Sequence, residues 1–385
     1  MKKVLTRLNY PLLILAILYT IFGCIMIYSA SSISAILRYD VPTGRFVIKQ
    51  IMSSVLAYSA GIVIIFIPTS KYRLPAIGLL GISYILLIGV FIYGKIAGGA
   101  LSWFDLGRLS FQPSEFAKPV LIVYLGSYFY KLSFKKTITL FNMLFPLLLS
   151  GIMILAIALQ PDLGSAAIIF LITIFIFLSI PLAPKQKKKI YKIGAVGAVV
   201  LVLSLVLFGK TLLHNYQIKR LLEFRQPCTR YQEDTGYQVC NSYIAIHNGG
   251  VFGVGLGNST QKYLYLPESH TDFIFPIIVE ECGLIVGIVI LIGYFTFLML
   301  ILSIAKKSIT LKNSIISYGI FTYFAIHIII NILGVLGLIP LTGVPLPFLS
   351  YGGTFNICVI VSVFILERIS YENKIDKEIK KIKEL

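Results

Sequence analysis

Apolar runs of roughly 17–25 residues, the length a helix needs to cross a bilayer, recur along the whole chain with short polar gaps between them. They fall at 9–29, 46–67, 74–94, 113–131, 138–159, 164–183, 191–212, 273–304, 315–339 and 354–368. The pattern predicts an all-α polytopic membrane protein of about ten transmembrane helices, with both termini on one side. One connection, 213–272, is far longer than the others and lies between the seventh and eighth runs. It is rich in aromatics and glycine, so it reads as a large folded loop that partly re-enters the membrane rather than as a tether. Residues 1–370 are then a single transmembrane unit, and 371–385 a short charged tail. No internal repeat is evident.

Composition agrees. Of 385 residues, 57% are hydrophobic and only 13% charged, and the mean hydropathy is +0.88. Soluble domains carry roughly 25% charged residues, so a soluble globule is excluded. Met1-Lys2-Lys3 leads into the first apolar run with no small-residue cleavage pattern, which reads as a retained helix.

The net charge of +18 raises the question of nucleic acid. A nucleic-acid surface would interleave Lys and Arg with aromatics in a stripe. Here the basic residues sit in the gaps between apolar runs. With the N-terminus cytoplasmic, 22 of the 34 Lys and Arg lie in inner segments, among them Lys185, Lys187, Lys188, Lys189 and Lys192. The positive-inside rule therefore makes 183–192 cytoplasmic and 213–272 external. Of the 16 Asp and Glu, five lie at the C-terminal end, Glu367 and four in the tail, and the other eleven fall in outer loops or outer helix ends. Acids carry little topological information, so this one-sidedness points to an outward-facing site rich in carboxylates.

Cys24, Cys282 and Cys358 lie in apolar runs and read as packing residues. Cys228 and Cys240 share the external loop, where thiols stay oxidised. A disulfide is expected between them, with a loop closure worth about 3 kcal/mol. No CxxC or Cys/His spacing suggests zinc.

Five groups could carry chemistry. Trp103 precedes Gln112-Pro113-Ser114-Glu115 and Lys118. Pro113 suits a helix start, and Glu115 sits in the first turn, where the dipole favours an anion. Glu115 and Lys118 are i,i+3 neighbours, either a structural ion pair or the lining of a path for a phosphate-bearing substrate. In Gln160-Pro161-Asp162-Leu163-Gly164, Asp162 can cap the next helix. Arg220, Arg225 and Arg230 offer guanidinium forks to a pyrophosphate, or to lipid headgroups. The glycines of Gly253-Val-Gly255-Leu-Gly257 do not fit a dinucleotide fingerprint. After them, Glu268, His270 and Asp272 crowd against an apolar run, where partial desolvation raises a carboxylate toward the range of a useful base. His270 competes as base. Two acids and one His do not specify a metal, and Thr271 or Asp272 could simply cap the next helix. Finally, Pro345, Pro347, Gly352 and Gly353 interrupt an apolar run around Ser350. Such backbone survives at membrane depth only when buried in protein or lining a cavity.

Taken together, in this order and over nearly the whole chain, these stretches resemble the SEDS family (shape, elongation, division and sporulation). The matching residues include Gly236-Tyr237-Gln238, Gly249-Gly250, Glu280-Glu281 and Pro347 through Gly353. The stretch 258–268 is more similar to the cell-division branch than to the elongation branch. The resemblance implies a peptidoglycan glycosyltransferase that polymerises lipid II on the outer face of the cytoplasmic membrane. Its partners would be a class B penicillin-binding protein and other division or elongation proteins, with no nucleic acid. The donor would be the growing glycan on undecaprenyl pyrophosphate, attacked with inversion. Cationic residues, or a divalent ion such as Mg or Mn, would neutralise the leaving group. Asp272 would be the general base. Glu115, Lys118, Trp103, Arg220, Gln261, Lys262, Glu268, His270 and Ser350 would line the substrate path. Asp162, Pro347, Gly352 and Gly353 would shape the backbone. Three features depart from the family's pattern: Ser102 where Arg is frequent, Thr354-Phe355 after Gly353, and the Cys228/Cys240 pair. A lipid II flippase or a noncatalytic division scaffold would share several of these features. The one-sided acids favour the enzyme, since alternating access needs groups reachable from both sides.

Overall fold

The computed structural model describes residues 6–97, 100–105, 110–134, 139–180, 227–230 and 234–383. Its α-helices are α1 (Tyr10–Leu37), α2 (Arg45–Phe66), α3 (Arg73–Tyr93), α4 (Pro113–Ser133), α5 (Leu140–Ala158), α6 (Leu163–Leu178), α7 (Asp234–Gly249), α8 (Ile274–Lys307), α9 (Leu311–Val335) and α10 (Gly353–Lys383). Each expected span except 191–212 falls on one of these helices. That span, and the residues 183–192 and 213–226, lie outside the described residues. The chain is mostly helical, and among the described residues seven helices are long and apolar enough to cross a membrane: α1, α2, α3, α5, α8, α9 and α10.

Local chemistry starts these helices. Proline occupies the first turn of α1 and of α4, where a missing N–H costs nothing. The Thr139 hydroxyl accepts from Asn142 N (3.3 Å) at α5, and the Asp162 carboxylate accepts from Ser165 N (3.0 Å) at α6. Lys131 ends α4, and Lys306 and Lys307 end α8, where cations complement the dipole. At 28 residues α1 is about 42 Å long, more than the ~30 Å hydrocarbon core.

Helices α9 and α10 form the centre, with most of their surface buried, whereas the other candidate spans keep most of theirs exposed. Helix α10 runs along α2, and α9 packs on α4, α6 and α8. Small residues allow the close approaches. A Cβ on Gly61 of α2 would strike the Phe364 ring, and one on Gly319 of α9 would press on Ile122 and Ile176. Leu74, Ile85, Ile92 and Phe295 point outward, the surface that lipid would solvate.

Two local features differ from the expectation. Residues 95–111 contain a three-stranded antiparallel sheet, β1 (Lys95–Ala97), β2 (Ala100–Asp105) and β3 (Ser110–Phe111), with Lys95 opposite Trp103 and Phe104 opposite Phe111. Aromatic residues suit a half-covered pleated surface, so the all-α description holds for the bundle and not for this connection between α3 and α4. Helix α10 also passes residue 371 without a break. Glu372 accepts from Thr69 N (2.8 Å) and Asn313 Nδ2 (2.9 Å), and Asn373 Nδ2 donates to Ile304 O (3.2 Å), so the start of the charged tail is packed.

Candidate functional site

Helix α8 is broken at Gly283, whose φ of 87° is outside the helical region. The residues before and after the break lose their intrahelical partners, and the segment after α7 replaces them. Val254 N and Gly255 N donate to Glu280 O and Glu281 O (both 2.9 Å). In return, Leu284 N and Ile285 N donate to Gly250 O (3.0 Å) and Val251 O (3.4 Å). Gly253 and Gly283 meet backbone to backbone with φ of 82° and 87°, and a Cβ on either would run into the other's chain. Glycine is required twice there, for the conformation and for the approach.

The two acids before the break fasten the same loop. Glu280 accepts from Ser259 Oγ, Thr260 Oγ1 (2.9 Å) and Asn248 Nδ2 (3.2 Å). Glu281 pairs with Lys262 Nζ (2.9 Å) and accepts from Ser29 Oγ of α1 (2.7 Å). Lys262 Nζ also reaches Gly257 O (2.6 Å) and Ser29 Oγ (3.2 Å), so its three donors all have protein acceptors. Gln261 is buried beside them, with its Oε1 unpaired among the described residues.

This loop delivers Asp272 to the start of α8. The residue is 8% exposed. Its carboxylate accepts from Thr271 Oγ1 (3.0 Å), and its Oδ2 lies 3.7 Å from where a Cβ on Gly343 would stand. Neither Thr271 nor Asp272 caps α8, whose N-cap is Phe273 without a side-chain bond. Gly343 belongs to the non-helical segment 336–352 between α9 and α10, much of which is buried, as such backbone must be. Asn331 of α9 joins the two loops, its Nδ2 donating to Asp272 O and Val344 O (both 2.8 Å). Ser350 Oγ accepts from Leu346 N (2.8 Å), and Gly352 N donates to Gln50 Oε1 (3.2 Å). Pro347 O accepts from Tyr294 (2.5 Å), and Gly353 begins α10.

His270 is buried between the rings of Phe46 (4.6 Å) and Tyr351 (5.6 Å), with Nδ1 unpaired among the described residues. Burial, helped by the Arg38 charge, pushes it down to about 4. The imidazole is therefore neutral at pH 7. Half-buried Glu268 faces Arg38 (3.6 Å) and accepts from Thr271 Oγ1 (2.9 Å). Glu268, His270 and Asp272 thus turn to different partners. Among the described residues no group of three or more His, Cys, Asp or Glu is placed to hold a metal.

One helical turn from Asn331, His327 of α9 accepts or donates at both nitrogens, with Pro345 O at 3.3 Å and Lys118 Nζ at 3.4 Å. Lys118 pairs with Glu115 (2.6 Å), and both are buried. Positions 327 and 331 are separated by about 6 Å along the axis, so this ion pair lies beneath Asp272 on one face of α9. Glu115 Oε2 has no partner among the described residues. Asp162 caps α6 and also accepts from Gln112 Nε2 (3.1 Å). Trp103 is half-buried on β2, opposite Lys95, whose Nζ bonds Asp105 (2.7 Å). Cys228 and Cys240 form a disulfide with Cα atoms 5.0 Å apart. Arg220 and Arg225 lie outside the described residues. Asn331, Gln50 and Arg38 were not foreseen. The first two could have been, because each is a lone amide in an apolar run.

Residues 10–375 match the FtsW/RodA/SpoVE family, described as cell cycle proteins. The chain is 36% identical over 396 residues to a probable peptidoglycan glycosyltransferase FtsW of Bacillus subtilis, covering 98% of this chain and 95% of that one. It is 36% identical over 379 residues to stage V sporulation protein E of the same organism, covering 93% and 96%. Among solved structures, a chain of a peptidoglycan synthase complex that coordinates polymerization and crosslinking superposes with a TM-score of 0.74 at 21% identity, covering 95% and 98%. The rod shape determining protein RodA of Thermus thermophilus superposes with a TM-score of 0.66 at 23% identity, covering 95% and 97%.

Proposed function

The chain belongs to the FtsW/RodA/SpoVE family of cell cycle proteins, and we propose that it is the peptidoglycan glycosyltransferase its relatives are named for, polymerising lipid II with Asp272 as general base. The observation that carries the assignment is Asp272 itself. It is a nearly buried carboxylate at the junction of two irregular loops, with its main chain fixed by Asn331. The acceptor hydroxyl must lose its proton as its oxygen attacks the anomeric carbon of the donor, and a positioned carboxylate takes it. The carbon inverts, and the lipid pyrophosphate leaves. Among the described residues Arg38 faces Glu268, the buried Lys118 faces His327, and the Arg45 charge acts on Tyr351; these cations around the junction stabilise the departing charge. The polyprenyl tails stay in the bilayer, which is why a membrane protein performs this sugar chemistry.

The reading includes about ten spans, a transmembrane unit over 1–370, both termini in the cytoplasm of a bacterium, and a class B penicillin-binding protein as partner. An impermeant thiol reagent on intact cells then labels a cysteine placed at 233 and not one at 188; the reverse pattern inverts the topology. The direct test is lipid II polymerisation by purified protein with its partner. Asp272→Asn should insert and bind that partner yet lose about a hundredfold to ten-thousandfold in rate. Near-normal glycan synthesis by Asp272→Asn refutes the assignment.

A further inference from the structure

A cavity of about 460 Å³ opens between α3, α4 and α5. It lies where α3 begins and α4 ends, the opposite end of α4 from Glu115. Leu80, Leu132, Phe145 and Leu149 wall it, and Arg73 and Lys131 stand at its rim. Its size is within the roughly 300–1,000 Å³ typical of ligand sites, yet the proposed transfer reaction has no use for it.

Four observations say what it holds. First, the lining has two cations and no carboxylate, and neither cation has an ion-pair partner among the described residues. Second, the walls are fixed. Tyr84 donates to Leu149 O (2.7 Å) and Tyr128 to Asn142 O (2.8 Å), tying α3 and α4 to α5. Third, Gly81 lies on the wall with nothing within 4 Å of a Cβ built on it, and the lining Ser127 Oγ is buried without a partner among the described residues. Fourth, Leu74, Phe141 and Leu148 nearby are all exposed, so the groove opens sideways into the apolar layer.

We propose that this groove binds one anionic phospholipid, its phosphate on Arg73 and Lys131 and one acyl chain along Leu80, Gly81 and Phe145. Under the orientation given above, the lipid comes from the cytoplasmic leaflet. A free phosphate would use the cations but not the apolar wall. Long cations at a bilayer surface attract anionic headgroups wherever they stand, but that attraction would not depend on the shape of a groove.

Native mass spectrometry of the purified full chain in mixed micelles tests this, with phosphatidylglycerol compared against phosphatidylcholine. One phosphatidylglycerol should be retained per chain. At about fivefold per cation, the preference over phosphatidylcholine should be roughly 25-fold. Arg73→Gln with Lys131→Gln should bring the preference close to one. Gly81→Phe should fill the groove and abolish retention of either lipid without lowering the unfolding temperature. Excess inorganic phosphate should not displace the lipid. Equal retention of both lipids by the unaltered chain overturns the proposal. So does retention unchanged by Gly81→Phe, by the paired Gln substitutions, or displacement by phosphate alone.

Discussion

Replacing Lys262 by Met separates two roles that this residue could play. Its ammonium is buried, and all three of its donors are taken, by Glu281, Gly257 O and Ser29 Oγ. In Lys262→Met, Glu281 keeps only the Ser29 hydroxyl of these contacts and remains a buried carboxylate. Breaking one side of a buried pair costs about 3–5 kcal/mol, much of it the unpaired charge. At roughly 2 °C per kcal/mol for a large chain, the unfolding temperature should fall by about 6–10 °C. Adding Glu281→Gln removes the stranded charge, and should restore most of the loss through a coupling of up to about 3 kcal/mol. The assay is thermal unfolding of the three variants in one detergent at one scan rate, alongside lipid II polymerisation. If the double variant is as unstable as the single one, the pair does not hold the loop. If the double variant is stable but polymerises a hundredfold more slowly, Lys262 acts on substrate, and its structural role is not the main one.

Two further outcomes are expected. His270 is held neutral down to about 4 in the fold against an ordinary 6.5. Between those values the unfolded chain takes up the proton, so stability is full above pH 6.5 and falls by up to about 3 kcal/mol as pH drops toward 4. Unfolding temperatures at pH 7.0, 5.5 and 4.5 should converge less steeply in His270→Gln, and identical slopes would contradict the assignment. Removing the Cys228–Cys240 link by Cys→Ser at both positions should weaken its loop by about 3 kcal/mol, seen as faster hydrogen exchange at the start of α7. Two alkylatable thiols in freshly isolated protein would show that the bond does not form.

The bundle was legible because lipid imposes one requirement, a long apolar run, and the sequence meets it without ambiguity at nearly every span. Contacts within one turn were equally legible. Glu115 with Lys118 and Asp162 with Ser165 need only helical spacing and a cap. Asp272 could be singled out because a carboxylate beside Phe273-Ile274-Phe275 is conspicuous. What pattern could not supply was partnership across the chain. Ser29 meets Glu281 over 252 positions, and nothing in either neighbourhood names the other. The break at Gly283 was hidden too, since a glycine in an apolar run looks the same whether it lets helices close or interrupts one. The sheet at 95–111 was missed because its strands are two to six residues long, too short for alternation to register.

The exchange of backbone bonds at Gly283 bears on how the chain is made. With the break at Gly283 already made and residues 250–255 not yet docked, the carbonyls of Glu280 and Glu281 and the amides of Leu284 and Ile285 would have no partners, and each such group left in hydrocarbon costs several kcal/mol. Released alone, α8 would pair these same groups with one another as a continuous helix, so the broken form cannot enter lipid as a finished span without the loop. It must either wait in a wet, protected setting or leave together with the loop that precedes it. Because that loop is synthesised first, the docking surface is ready when α8 emerges. A ribosome-tethered chain long enough for α8 to have left the ribosome should already protect the Val254 and Gly255 amides from solvent exchange, whereas the same chain carrying Gly253→Val should leave them and α8 accessible.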